Sequence, residues 1–205
     1  NAVLIVPQGP KFARDSSGGK LEKNNGLKDL LTEVLDVLQT ESLEPTLGNA
    51  FLPQKTSGKS RKIGEVVLMA HSGGFQVAAR SVKKGNVNVS EVYLFDALYG
   101  GLKIFRNWLN HHFDKETTKP HKLVSMYSDP VVTSNHTRFS RMLSDTGIGY
   151  VHSSGPRPFS YVVLEIDEYE RKRNEAGISE AVFVRAKSHY ESIAWMKYAL
   201  QGSLA

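Results

Sequence analysis

Glu65-Val66-Val67-Leu68-Met69-Ala70-His71-Ser72-Gly73-Gly74 is the stretch whose reading decides the fold. Val66 to Ala70 is an unbroken apolar run, the pattern of a strand covered on both faces in a parallel sheet. From Gly74 onward, Phe75, Val77, Ala78, Ala79 and Val82 read as a helix whose alanines allow close approach to that sheet. Strand passes to helix within four residues. A turn this tight requires small neighbours, and a serine at its apex is forced into a sparsely populated backbone region.

Working outward, the same alternation recurs on both sides. Leu27, Leu30, Leu31, Val34, Leu35 and Leu38 recur at helical spacing, with Asp29, Glu33 and Asp36 on the opposite side. Ala2 to Val6, closed by Pro7-Gln8-Gly9-Pro10, reads as a further strand buried on both faces. Glu41 to Lys62 is rich in Pro, Gly, Ser, Thr and Lys and reads as a long surface loop. Beyond the central stretch, Val92 to Phe95, Leu123 to Tyr127, Tyr161 to Ile166 and Ala181 to Arg185 are expected strands. Leu102 to Phe113, Arg138 to Leu143 and a closing segment marked by Ile193, Met196 and Leu200 are expected helices. Gly149 to Glu180 holds more than a standard crossover and is expected to shape a pocket or lid. The alternation implies an α/β fold with a mostly parallel sheet and helices on both faces, in one domain over residues 1–205.

The bulk numbers agree. The 205 residues suit one domain, and 40% hydrophobic with 23% charged residues is ordinary globular composition. No apolar run approaches the ~18 residues of a membrane span. The absence of cysteine excludes disulfides, thiolate metal sites and a cysteine nucleophile. The seven histidines lack metal-ligand spacing, so no metal or cofactor is expected. Formal charge is +5, but the excess lies in clusters such as Lys59, Arg61, Lys62 and Arg171, Lys172, Arg173, without interleaved aromatics, so no nucleic-acid partner is expected. Ser57-Gly58-Lys59-Ser60 echoes a phosphate-binding loop, but it precedes a strand where that motif opens a helix. Compartment and oligomeric state are not readable.

Parallel α/β sheets work at the carboxyl ends of their strands, which directs attention to Gln8-Gly9, His71 to Gly74, Asp96, Asp129 and Ser188-His189. Ala70-His71-Ser72-Gly73-Gly74 resembles the nucleophile elbow of the α/β-hydrolase superfamily, with Ala70 in place of the first glycine of G-x-S-x-G. A plain helix-capping serine is the alternative. The resemblance spans Ala2 to the last helix, with the superfamily's first strands absent or truncated, and it implies a serine hydrolase of esterase or lipase type. An amidase with the same residues, or a binding module without activity, remains a rival.

That resemblance assigns roles. Ser72 is the nucleophile and His189, last in the order Ser, acid, His, is the base. Ser188-His189-Tyr190-Glu191 also fits a capping box, which is compatible with that role. Asp129, in Tyr127-Ser128-Asp129-Pro130-Val131-Val132, is the preferred acid, with an Asp-Pro turn as its ordinary reading. Asp96 is the second candidate, expected to line the site if it is not the acid. The Gly73 N–H and a backbone N–H near Gln8 or Gly9 are the implied oxyanion donors. The expected substrate is a small-molecule or lipid ester. His71 should point away from the serine hydroxyl; His111 and His112 should end a helix; His121, His136 and His152 are expected in turns or on the surface.

Overall fold

The computed structural model describes residues 3–10, 17–40, 63–110, 121–146, 148–153, 180–186 and 188. Its elements are α1 (Gly26–Thr40), β1 (Val66–His71), α2 (Phe75–Lys84), β2 (Val89–Phe95), α3 (Leu102–Leu109), β3 (Lys122–Tyr127), α4 (Pro130–Ser144), β4 (Gly149–Ser153) and β5 (Glu180–Arg185). The five strands form one sheet in the order β1-β2-β3-β5-β4, and every neighbouring pair is parallel. Register aligns the strand ends: His71 pairs with Phe95, Phe95 with Met126, and Tyr127 with Arg185.

The period-2 geometry of a strand divides the apolar residues between two faces. Ala70, Leu94, Leu123 and Phe183 belong to one buried cluster, together with Leu27 of α1, Ala78 and Ala79 of α2, Phe105 and Trp108 of α3, and Phe139 and Leu143 of α4. Tyr93, Phe95, Val124, Met126, Val182 and Val184 form the other, with Val67 and Met69 packed on it. Every described helix contributes to the first cluster and none to the second. The α/β arrangement and parallel sheet are therefore as expected, while helical cover is observed on one face among the described residues.

Small residues let α2 and its neighbours close on the sheet. Gly101 adopts φ 74 at the start of α3, and a Cβ there would lie 3.1 Å from the Ala79 Cβ and 3.3 Å from the Phe105 ring. Only glycine takes that backbone without strain while permitting the contact.

Other departures have physical causes. Val3 to Val6 forms no strand: Val3, Leu4 and Val6 are 58%, 66% and 81% exposed, correcting the buried strand expected at Ala2 to Val6. An apolar run becomes a strand only when another edge takes up its backbone N–H and C=O groups, and no described strand pairs with it. Helix α4 begins eight residues before the expected Arg138. Its buried stripe is Val132, Asn135, His136, Phe139, Ser140 and Leu143, a helical spacing concealed because half its members are polar. Strand β4 occupies the beginning of what reads as an irregular crossover, pairing Val151 with Val182.

Those buried polar residues are partnered. His136 Nε2 lies 2.9 Å from Ser125 Oγ, with the ring 4.2 Å from Tyr127 and 4.7 Å from Phe183 by centroid. His121 stacks on Trp108 and its Nδ1 lies 2.6 Å from the Trp108 carbonyl oxygen. Both are core residues, correcting the surface positions expected of them. His152 lies in β4, and His111 and His112 fall outside the described residues. So do the expected loop 41–62, the strand at Tyr161 to Ile166 and the closing helix. No described helix is long and apolar enough to cross a membrane.

Candidate active site at the carboxyl edge of the sheet

Strand pairing brings the ends of β1, β2 and β3 side by side, roughly 5 Å apart per strand. Immediately beyond them come Ser72, Asp96 and Ser128. Four non-glycine residues among those described have positive φ. Asn25, Asn86 and Asp96 belong to residue types that tolerate this region. Ser72, at φ 52, does not, and it lies on the rim with Asp96, at φ 46. Such conformations cost on the order of 1–3 kcal/mol and persist where the surroundings impose them.

The elbow owes its shape to its neighbours. Ser72–Gly74 makes a single 3-10 turn, with the Phe75 N–H bonding back to the Ser72 carbonyl, and α2 starts directly after it. A Cβ at Gly74 would stand 3.4 Å from that of Ala70, so the positions two before and two after the serine pass in van der Waals contact. Alanine fits at 70 because the close approach leaves room for one methyl group there. The N-cap of α2 is Gly74 and no side chain caps it, so Ser72 is not a helix cap.

Asp96 is wholly buried at the end of β2. Its backbone N–H donates to the Met126 carbonyl at 2.8 Å, extending the ladder to β3. Its carboxyl group accepts from three donors of the next loop: Ser128 N–H at 2.9 Å and Asp129 N–H at 3.2 Å on Oδ1, and the Ser128 hydroxyl at 2.7 Å on Oδ2. Asp129 does something different. It is the N-cap of α4, its Oδ1 accepting from Val131 N–H at 2.7 Å and Val132 N–H at 3.4 Å, with Pro130 in the first turn. The Asp-Pro pair is thus a helix start, and the two candidate carboxylates lie on adjacent strand ends.

Tyr99 completes this side of the rim, and sequence reasoning passed over it. Its ring lies 6.2 Å from that of Phe75 in the first turn of α2. Burial, then the Asp129 charge, then the Asp96 charge raise its phenol above the ordinary value of 10.0, so it stays protonated and a donor. An aromatic beside Gly100-Gly101, just after a strand end, was the available signal.

On the other flank, the turn carrying Gln8 and Gly9 is exposed but tethered near the elbow helix. A Cβ at Gly19 would meet the Pro10 ring at 2.9 Å, and one at Gly18 would run into Val77 in the first turn of α2. At the far side, Ala186 N–H bonds to the Tyr127 carbonyl at 2.8 Å, fixing the exit from β5 beside β3. Ser188 is exposed, and His189 lies outside the described residues. The structure thus brings Ser72, Gly73, Asp96 and Asp129 to one rim and does not describe the expected base. No group of acidic or histidine side chains that could hold a metal occurs among the described residues. No family model, no curated protein and no solved structure matches the chain.

Proposed function

We propose that the protein is a serine hydrolase acting on carboxylic esters, with Ser72 as nucleophile, His189 as base and Asp96 as the acid. The observation that carries this reading is the positive φ of Ser72 at a strand-to-helix elbow, at the carboxyl edge of a parallel sheet. A serine held there by packing, without capping the helix, is accounted for by exposure of its hydroxyl to a substrate.

Asp96 is preferred to Asp129 on environment. A triad acid is buried and held in one orientation by donors, so that it fixes the tautomer of the base and stabilises the imidazolium. Asp96 has full burial and three donors. Asp129 is sufficiently explained by its cap.

In the proposed reaction His189 accepts the Ser72 hydroxyl proton as Oγ attacks the ester carbonyl. The Gly73 N–H, with a backbone donor of the Gln8-Gly9 turn, stabilises the oxyanion. The imidazolium returns the proton to the departing alkoxide, and water, activated by His189, releases the acid from Ser72. Initial rates on p-nitrophenyl acyl esters test the proposal: Ser72→Ala should lose turnover by at least about 10⁴-fold. Equal rates for wild type and Ser72→Ala would overturn it. The rival amidase reading uses the same residues, and a p-nitroanilide of matched acyl group hydrolysed faster than the ester would favour it.

A further inference from the structure

We propose that Ser128 is a positioning residue of the triad, acting through Asp96; the inference rests on the hydrolase reading above. Ser128 donates twice to one carboxyl group, from its N–H to Oδ1 at 2.9 Å and from its hydroxyl to Oδ2 at 2.7 Å. The two bonds grip opposite oxygens, so the carboxyl plane is fixed relative to the β3 backbone. A single donor would leave the group free to rotate about its own axis. The grip crosses from β2 to β3, since Asp96 N–H already bonds to Met126 and Asp129 N–H adds a third donor to Oδ1.

Because Asp96 is wholly buried, its carboxyl group is not solvated by water at large, and these donors help to fix its orientation. The hydroxyl bond is the adjustable one. The backbone N–H groups survive any substitution at 128, whereas the hydroxyl is supplied by the side chain alone. A carboxylate short of one donor turns more readily and holds its counter-charge more tightly. The imidazolium paired with it should therefore form more easily and point less well.

The experiment is steady-state kinetics of p-nitrophenyl acetate hydrolysis across pH for Ser128→Ala, Ser128→Thr and Ser128→Cys, with circular dichroism to establish folding. Ser128→Ala should lower kcat about tenfold with KM unchanged, the scale of a hydrogen bond to a charged group. The acidic limb of kcat/KM should move to higher pH. Ser128→Thr, which keeps the hydroxyl, should restore both, while Ser128→Cys, with its weak donor, should behave as Ser128→Ala and serves if that variant does not fold.

In an Asp96→Asn background, Ser128→Ala should cost no further activity, because a residue acting through another contributes nothing once that other is removed. A full tenfold further loss in that background would overturn the proposal, as would wild-type kcat and an unmoved limb in Ser128→Ala. If wild type and Ser72→Ala hydrolyse the ester equally, the hydrolase reading fails and takes this inference with it. If Ser72→Ala alone is inactive and the Ser128 variants are unchanged, only the role of Ser128 is lost.

Discussion

Asp96 and Asp129 stand at the ends of neighbouring strands and are held in opposite ways. Asp129 accepts from residues two and three positions ahead, within its own helix start. Asp96 accepts from residues 32 and 33 positions away, on another strand's loop. One carboxyl group is a local device that starts a helix; the other is a cross-strand device that ties the rim together. A cap explains itself by the four orphan N–H groups it helps to satisfy. A buried carboxyl group with donors drawn from elsewhere has no such local purpose.

The sharpest way to break this contrast is by activity. Asp96→Asn should reduce ester turnover on the order of 10⁴-fold, whereas Asp129→Asn should stay within a few-fold of wild type, since asparagine caps a helix about as well as aspartate. The reverse ranking would return the acid role to Asp129. Stability should separate the pair more modestly. Urea denaturation should show Asp96→Ala losing roughly 1.5–3 kcal/mol, the range for hydrogen bonds to a charged group, against about 1 kcal/mol for Asp129→Ala as a lost cap. Equal losses would argue that the cross-strand bonds of Asp96 hold the fold no more firmly than a helix cap does.

Ser72 extends the comparison to a residue whose strain is the point. Ser72→Gly should abolish activity yet stabilise the fold by about 0.5–1 kcal/mol, because glycine takes φ 52 without the Cβ clash. A destabilised Ser72→Gly would mean that the serine side chain supports the elbow. The smallest effect concerns Tyr99, which senses both carboxylates. Its raised phenol means that the folded state keeps the proton longer than the unfolded chain does. Stability from this group is present below the ordinary 10.0 and declines as pH rises through the raised value. Absorbance titration of tyrosinate should lose a late-titrating step in Tyr99→Phe.

What could be read in the sequence follows the same division between local and distant. The span from Val66 to Lys84 and helix α1 were legible because strand, turn and helix each carry their signal within a few neighbouring residues. The first half of α4 was not, since Asn135 and His136 sit on its buried stripe and their partners, the Leu98 carbonyl and Ser125, come from other elements. Val3 to Val6 misled for a related reason: apolar β-branched residues permit a strand, but only a partner edge makes one. The rim residues Ser72 and Asp96 could be named from their places after strands. That Asp96 would be gripped by Ser128 depended on a register no linear pattern contains, whereas the Asp129 cap is local to its Asp-Pro pair.

The central claim is that Ser72 is a nucleophile, and its most direct test is covalent capture. Intact-mass analysis after incubation with a fluorophosphonate, followed by peptide mapping, should show one adduct located on Ser72, absent from Ser72→Ala and slowed in Asp96→Asn. A folded wild-type protein that forms no adduct, or forms one elsewhere, would contradict the account.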